Sequence, residues 1–215
     1  MLIHPLWTDG YRLLLMQLYL RKPVGMKAMY SKAMVNLSLE LHIPPAVLYE
    51  QMFMLRNRKM PSIARLWDRY GENTSRLARD VKKLRSLTGF CNASEFYSGV
   101  ETSESFEKDF RTIDNDTELT PVMLIMILDL YFRLTPVTMV EGTPEVAELA
   151  RMMKIKPGRV VEVMEVFRVC DPYLSRGELI VTHLLLPCRQ IWNHFGNGDP
   201  SRLSATAAQL KEFFV

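Results

Sequence analysis

The stretch that decides the fold is "VNLSLELHI", Val35 to Ile43. Val35, Leu37, Leu39, Leu41 and Ile43 alternate with Asn36, Ser38, Glu40 and His42, and strict alternation is the pattern of a half-buried β-strand. The chain contains a second version of this stretch that reads differently. An offset of 112 aligns "SKAMVNLSLELHIPPAVLYEQMFMLR" with "TPEVAELARMMKIKPGRVVEVMEVFR" without a gap. Opposite the alternating run stands "AELARMMKI", Ala147 to Ile155, where Val146, Leu149, Ala150 and Met153 fall at i, i+3, i+4 and i+7. That spacing is one face of a helix. Met34, Leu37, Ser38 and Leu41 take the same places in the first copy, so Val35 to Ile43 is predicted to be helical.

From residue 8 to 56 the offset gives 10 identities in 49 positions, among them Leu18/Leu130, Tyr19/Tyr131, Arg21/Arg133, Pro45/Pro157 and Met52/Met164. Apolar positions coincide where identity fails, as at Leu48/Val160 and Leu55/Phe167. Past Arg56 the second copy gains 13 residues, since Trp67 then matches Trp192, and "SRL" recurs at Ser75 and Ser201. Three segments follow: a first helical repeat over 1–88, an acidic polar linker or arm over 89–118, and a second repeat over 119–215 with the insertion after residue 168. Ser31, Thr120 and Thr143 are N-cap residues, and Pro121 and Pro144 suit a first helical turn. The predicted fold is all-α, two related helical lobes packed pseudo-symmetrically. Only "GELIVTHLLL", Gly177 to Leu186, reads equally as a short strand or hairpin and as a buried helix.

With 48% hydrophobic and 24% charged residues, the 215-residue chain has the composition of a globular protein. A net charge of +3 is too small to imply nucleic acid by itself. Cys91, Cys170 and Cys188 lack CxxC spacing, which points to reduced thiols and a cytoplasmic location. The longest apolar run, "PVMLIMILDLYF", is interrupted by Asp129 and is well short of the roughly 20 residues that span a bilayer. No membrane association is expected.

"VAELARMMKIKPGRVVEVMEVF" resembles the helix-turn-helix units of bacterial regulators, with an alanine in the first helix, a short glycine-containing turn and a valine-rich second helix. The resemblance implies a recognition helix from residue 157 onward, lying in a DNA major groove. The outward residues speak against base reading. With Leu48, Met52 and Leu55 inward, Val47, Tyr49, Glu50, Gln51, Phe53 and Met54 remain outside. In the second copy the same pattern leaves Arg159, Val161, Glu162, Val163, Glu165 and Val166. Carboxylates repel phosphates, and aliphatic side chains read few base edges. Val47, Tyr49, Phe53, Met54, Val161, Val163 and Val166 are instead the candidate interaction face, between the lobes or against a partner.

The segment Arg56 to Arg85 carries ten Lys or Arg and three acidic residues, whereas residues 86–120 carry eight acidic and two basic. Leu77, Val81 and Leu84 share one helical face there. Arg76, Arg79, Lys82, Lys83 and Arg85 spread over the other, as a solvated surface or a phosphate contact. No Gly-rich phosphate loop, GxSxG, HExxH or DxDxDG is present. Cys170, His183, Cys188 and His194 match no zinc-module spacing. No catalytic, cofactor or metal residue is assigned. The expected function is that of a non-enzymatic interaction or adaptor protein, with an unknown protein partner or a second copy. The alternatives are a nucleic-acid-binding regulator using residues 56–85, and a ligand binder or enzyme at a cleft near Trp67, Trp192, Tyr19 and Tyr131.

Overall fold

The structure, a computed structural model, describes residues 4–90, 106–174 and 181–215. Among these the chain is all-α, with ten α-helices and no strand. It divides into two compact units, Met1–Thr102 and Ser103–Val215. The first holds α1 (Tyr11–Leu20), α2 (Lys32–Leu41), α3 (Pro45–Asn57), α4 (Pro61–Tyr70) and α5 (Thr74–Arg85). The second holds α6 (Pro121–Tyr131), α7 (Pro144–Met153), α8 (Pro157–Cys170), α9 (Leu185–Ile191) and α10 (Pro200–Lys211). A π-helical turn over Trp192–Gly196 continues α9. No described helix is long and apolar enough to cross a membrane.

The alternating segment is α2, and Met34, Leu37, Ser38 and Leu41 are all buried. The backbone ends it with a left-handed residue, His42 at φ 55°, and the Ile43 N–H turns back to the Ser38 carbonyl at 3.1 Å. At the same offset Lys154 has φ 61° and the Ile155 N–H reaches the Ala150 carbonyl at 3.0 Å. This 6→1 closure satisfies a carbonyl that a helix end otherwise leaves open. The next helix starts three residues on, at Pro45 or Pro157. Proline suits that position because its φ is preset and its missing N–H would have had no partner.

Several helix pairings recur in both units. Helix α1 packs on α3 and α5, and α2 on α3; α6 packs on α8 and α10, and α7 on α8. Tyr19 meets Trp67 edge-on at 5.7 Å between ring centroids, and Tyr131 meets Trp192 edge-on at 6.0 Å. The glycine four residues past each tryptophan is required by close approach. A β-carbon at Gly71 would lie 2.7 Å from the Trp67 carbonyl oxygen, and one at Gly196 2.7 Å from Trp192 Cδ2. Leu77 and Val81 of α5 are buried, as are Leu203 and Ala207 of α10.

The stretch expected as a linker is divided. Residues 91–105 lie outside the described residues. From Phe106 the chain belongs to the second unit: a 3₁₀ turn, Phe106–Phe110, brings Phe110 to within 5.2 Å of the Phe213 ring, and Ile113 and Leu119 are buried. Three apolar side chains spread among acidic residues looked like a solvated arm, yet they anchor this segment. Of the strand candidate, residues 177–180 lie outside the described part. The remainder is a turn at Thr182 leading into α9, so Leu185 and Leu186 are helical.

Candidate interaction surfaces

Helix α5 is the basic element. The Asn73 side chain caps it, accepting from the Arg76 N–H at 2.9 Å. Its buried Leu77 and Val81 fix which side faces out, and Arg76, Arg79, Lys82, Lys83 and Arg85 are all exposed. They are not equivalent. Arg85 donates from Nε and Nη2 to the two oxygens of Glu40 on α2, at 2.6 and 2.8 Å. The Tyr70 hydroxyl donates to Asp80 at 2.8 Å, and that hydrogen bond holds the Asp80 carboxyl below its ordinary pKa against a small opposing effect of burial; Lys83, Arg69 and Arg76 add to it. The guanidiniums of Arg69 and Arg76 lie 5.2 and 5.9 Å from the Tyr70 ring centroid. Arg79, Lys82 and Lys83 project from the same helix. On α10, the corresponding helix, only Arg202 and Lys211 are basic.

Helix α3 carries the apolar face. Tyr49 is 37% and Phe53 50% exposed, one helical turn apart, and Val47 and Met54 are half-buried. The second unit departs from expectation. Val163 and Val166, predicted to face outward, are 0% and 3% exposed, and Val161 is half-buried. A single inward stripe would suit a helix packed on one side. Helix α8 packs against α6, α7 and α9, so the positions flanking the Val160, Met164 and Phe167 stripe are covered as well. In the first unit Gln51, expected outside, is likewise buried.

A polar junction in the second unit was not anticipated. Asp116, its side chain only 3% exposed, accepts at Oδ1 from the backbone N–H groups of Glu118 and Leu119, both at 2.9 Å. At Oδ2 it meets Arg159 Nη2 in a short ion pair and His183 Nε2 at 2.9 Å. Burial pushes this carboxyl up. The His183 hydrogen bond, the two backbone donors and the Arg159 charge outweigh it and hold the pKa at about 2. Arg159 also pairs with Glu162 at 2.5 Å. The junction joins the segment before α6, the first turn of α8 and the segment before α9. Asp116 and His183 are 67 residues apart, and no local pattern announces such a contact. The contacts of Asp116 with Arg159 and His183 hold these chain segments together, which is a structural task.

The remaining candidates disperse. His183 serves Asp116, His194 packs edge-on against Phe195 at 4.5 Å, and Cys188 is buried with its thiol pushed up by burial. Among the described residues no three His, Cys, Asp or Glu side chains gather as a metal site. Cys91 lies outside them. Tyr19, Trp67, Tyr131 and Trp192 pack in pairs within their own units. The Trp67 indole N–H donates to the Leu55 carbonyl at 2.9 Å, and the Tyr131 hydroxyl to Asp171 at 2.9 Å. Fold and surfaces together define an all-α protein of two helical units, with the Tyr49–Phe53 face and the basic helix on the first, and Phe132 and Tyr173 exposed on the second. Comparison with protein-family models, curated proteins and solved structures finds no match for this chain.

Proposed function

We propose that this is a non-enzymatic interaction protein that meets a protein partner, or a second copy of itself, through α3 of the first unit. The observation that supports the reading is the exposure of Tyr49 and Phe53 side by side, at 37% and 50%, on a helix whose counterpart has a half-buried Val161 and a glutamate, Glu165, at those two positions. Exposed aromatics flanked by half-buried aliphatics are the residue types that dominate binding energy in protein interfaces. A photo-crosslinking residue substituted for Phe53 tests it, with the same residue at the exposed Glu148 of the second unit as control. A discrete adduct from position 53, absent from position 148, is expected. An adduct of twice the 24.9 kDa chain mass denotes self-association, and any other mass a partner. No adduct from position 53 would overturn the reading.

The α5 surface supports a second reading, contact with nucleic-acid phosphates. Arg76, Arg79 and Lys83 sit at i, i+3 and i+7, which places three cations along one exposed face. Three phosphate contacts would give log K a slope of about −2.7 against log salt on duplex DNA. Fluorescence anisotropy should show that slope, and Arg79→Glu with Lys83→Glu should abolish it. DNA binding unchanged by the double reversal would remove α5 as the contact.

A further inference from the structure

Helices α1, α2 and α5 line one groove, and the Glu40–Arg85 pair joins α2 to α5 at one end of it. The groove has a volume of about 720 Å³. Its walls are low because Ala33, Ser75 and Ala78 are small, and Leu14, Leu18, Leu37 and Leu77 form its floor. Helices α1 and α5 are antiparallel, since Gly10, just before α1, lies beside Leu84 near the end of α5. Arg21, at the end of α1, therefore shares one end of the groove with Thr74 and Ser75, and Glu40 with Arg85 marks the other. From Thr74 to Arg85 is roughly 16 Å along the helix, a length spanned by about five residues of extended chain.

Charge and lining narrow the occupant. The one acidic lining residue, Glu40, is neutralised by both hydrogen bonds from Arg85, whereas Arg21 makes no ion pair with a described residue. Lys27, whose ammonium donates to the Arg21 carbonyl at 2.8 Å, adds a second cation there; burial and then the Arg21 charge lower its pKa. Exposed Arg79 and Lys82 lie further along α5. Gln17, Asn36, Thr74 and Ser75 offer side-chain donors and acceptors to a peptide backbone. No aromatic side chain lines the groove, so it lacks the stacking platform a single nucleic-acid strand uses. The floor leucines are at most 9% exposed, too little apolar area to hold an acyl chain.

We propose that the α1–α2–α5 groove binds an extended acidic peptide segment of a protein partner, its carboxylates directed to Arg21 and its small apolar side chains to the floor between Ala33 and Ala78. The aligned positions of the second unit have a different chemistry. There Gln17, Ala33 and Asn36 are replaced by Asp129, Glu145 and Glu148, and Arg133 is paired to Asp129 at 2.8 Å. The groove is separate from the Tyr49–Phe53 face, so either can fail without the other.

The test is a titration of the full chain with a fluorescein-labelled eight-residue peptide of six acidic residues and two leucines. A charge-reversed peptide and a ten-nucleotide oligo-dT serve as comparisons. Ala78→Trp fills the groove without changing charge and is expected to weaken acidic-peptide binding at least tenfold. Arg21→Gln should weaken it several-fold, and Phe53→Ser should leave it unchanged. If Ala78→Trp perturbs the helical circular dichroism, Asn36→Trp, at an exposed wall position, carries the same test. Acidic-peptide binding that survives both tryptophan variants would overturn the proposal. So would absence of binding at low salt, or oligo-dT bound as tightly and blocked by the same variants.

Discussion

Helices α3 and α8 occupy the same place in their units, start on a proline after the same left-handed turn, and share an inward methionine, Met52 and Met164. They differ in what surrounds them. Where α3 has Gln51 and Met54, α8 has Val163 and Val166, both buried. Where α3 exposes Phe53, α8 carries Glu165, paired with Arg168 at 2.7 Å. The same contrast holds beneath them: residues 122–131 of α6 are buried throughout, whereas Tyr11, Arg12, Leu13, Gln17, Tyr19 and Leu20 of α1 retain access to solvent. One backbone frame thus supports a closely packed unit and a more open one. The open one has the exposed Tyr49–Phe53 pair on α3, the basic helix and the groove.

Six substitutions, grouped in four tests, break or sharpen this contrast, from the largest effect down. Phe167 is fully buried against Tyr131 and Trp192, with ring centroids 6.2 and 6.4 Å away. Phe167→Ala should cost about 3–5 kcal/mol through lost burial and the cavity left behind. Hydrogen exchange in α6 and α8 should report it, while protection in α1 and α3 stays as in the parent protein.

The Asp116 junction has no counterpart among the described contacts of the first unit. Its pKa lies below the ordinary carboxylate value, so the ionised form is the one favoured by folding. The resulting stability is present above about pH 4 and lost as the pH falls toward 2. Asp116→Asn should therefore cost about 2 kcal/mol at neutral pH, with most of the difference from the parent gone by pH 2 and the rest lost below it. A penalty independent of pH would show that the ionised carboxylate is not what holds the junction.

Ser38 and Ala150 are equivalent core positions, and the buried Ser38 hydroxyl has no hydrogen-bond partner among the described residues. An unpaired buried hydroxyl costs about 1–3 kcal/mol. Ser38→Ala should therefore raise the melting temperature and Ala150→Ser lower it. Equal effects of the two, or a reversed order, would mean that the cores do not differ as the burial suggests. The smallest effect concerns what the units share. His42→Gly and Lys154→Gly, both in the left-handed region, should each stabilise by up to about 1 kcal/mol. Similar gains at both sites in a urea titration would show that the turns are energetically alike, and unlike gains would break the comparison.

Little of this required tertiary information at the level of helices. Pro45 and Pro157 announced the starts of α3 and α8, and the stripe of Val146, Leu149, Ala150 and Met153 identified the helical period that the alternation around Leu37 and Leu39 concealed. The surfaces were less legible. Phe53 and Val163 look alike as outward apolar residues on their helices, and only the packing of other helices around α8 separates them. Arg85 looked as available as Arg79 until Glu40, 45 residues away, was found beside it.

By itself, then, the amino-acid sequence determined the all-α class, the places where helices begin and turn, and the stripe each helix must bury. These depend on backbone hydrogen bonds closed within five residues and on side-chain spacing along one helix. Tertiary structure alone decided which further faces are covered, which cations keep a carboxylate partner, and where small residues leave a groove. Those outcomes depend on which distant helix arrives alongside, and nothing in the local spacing encodes it.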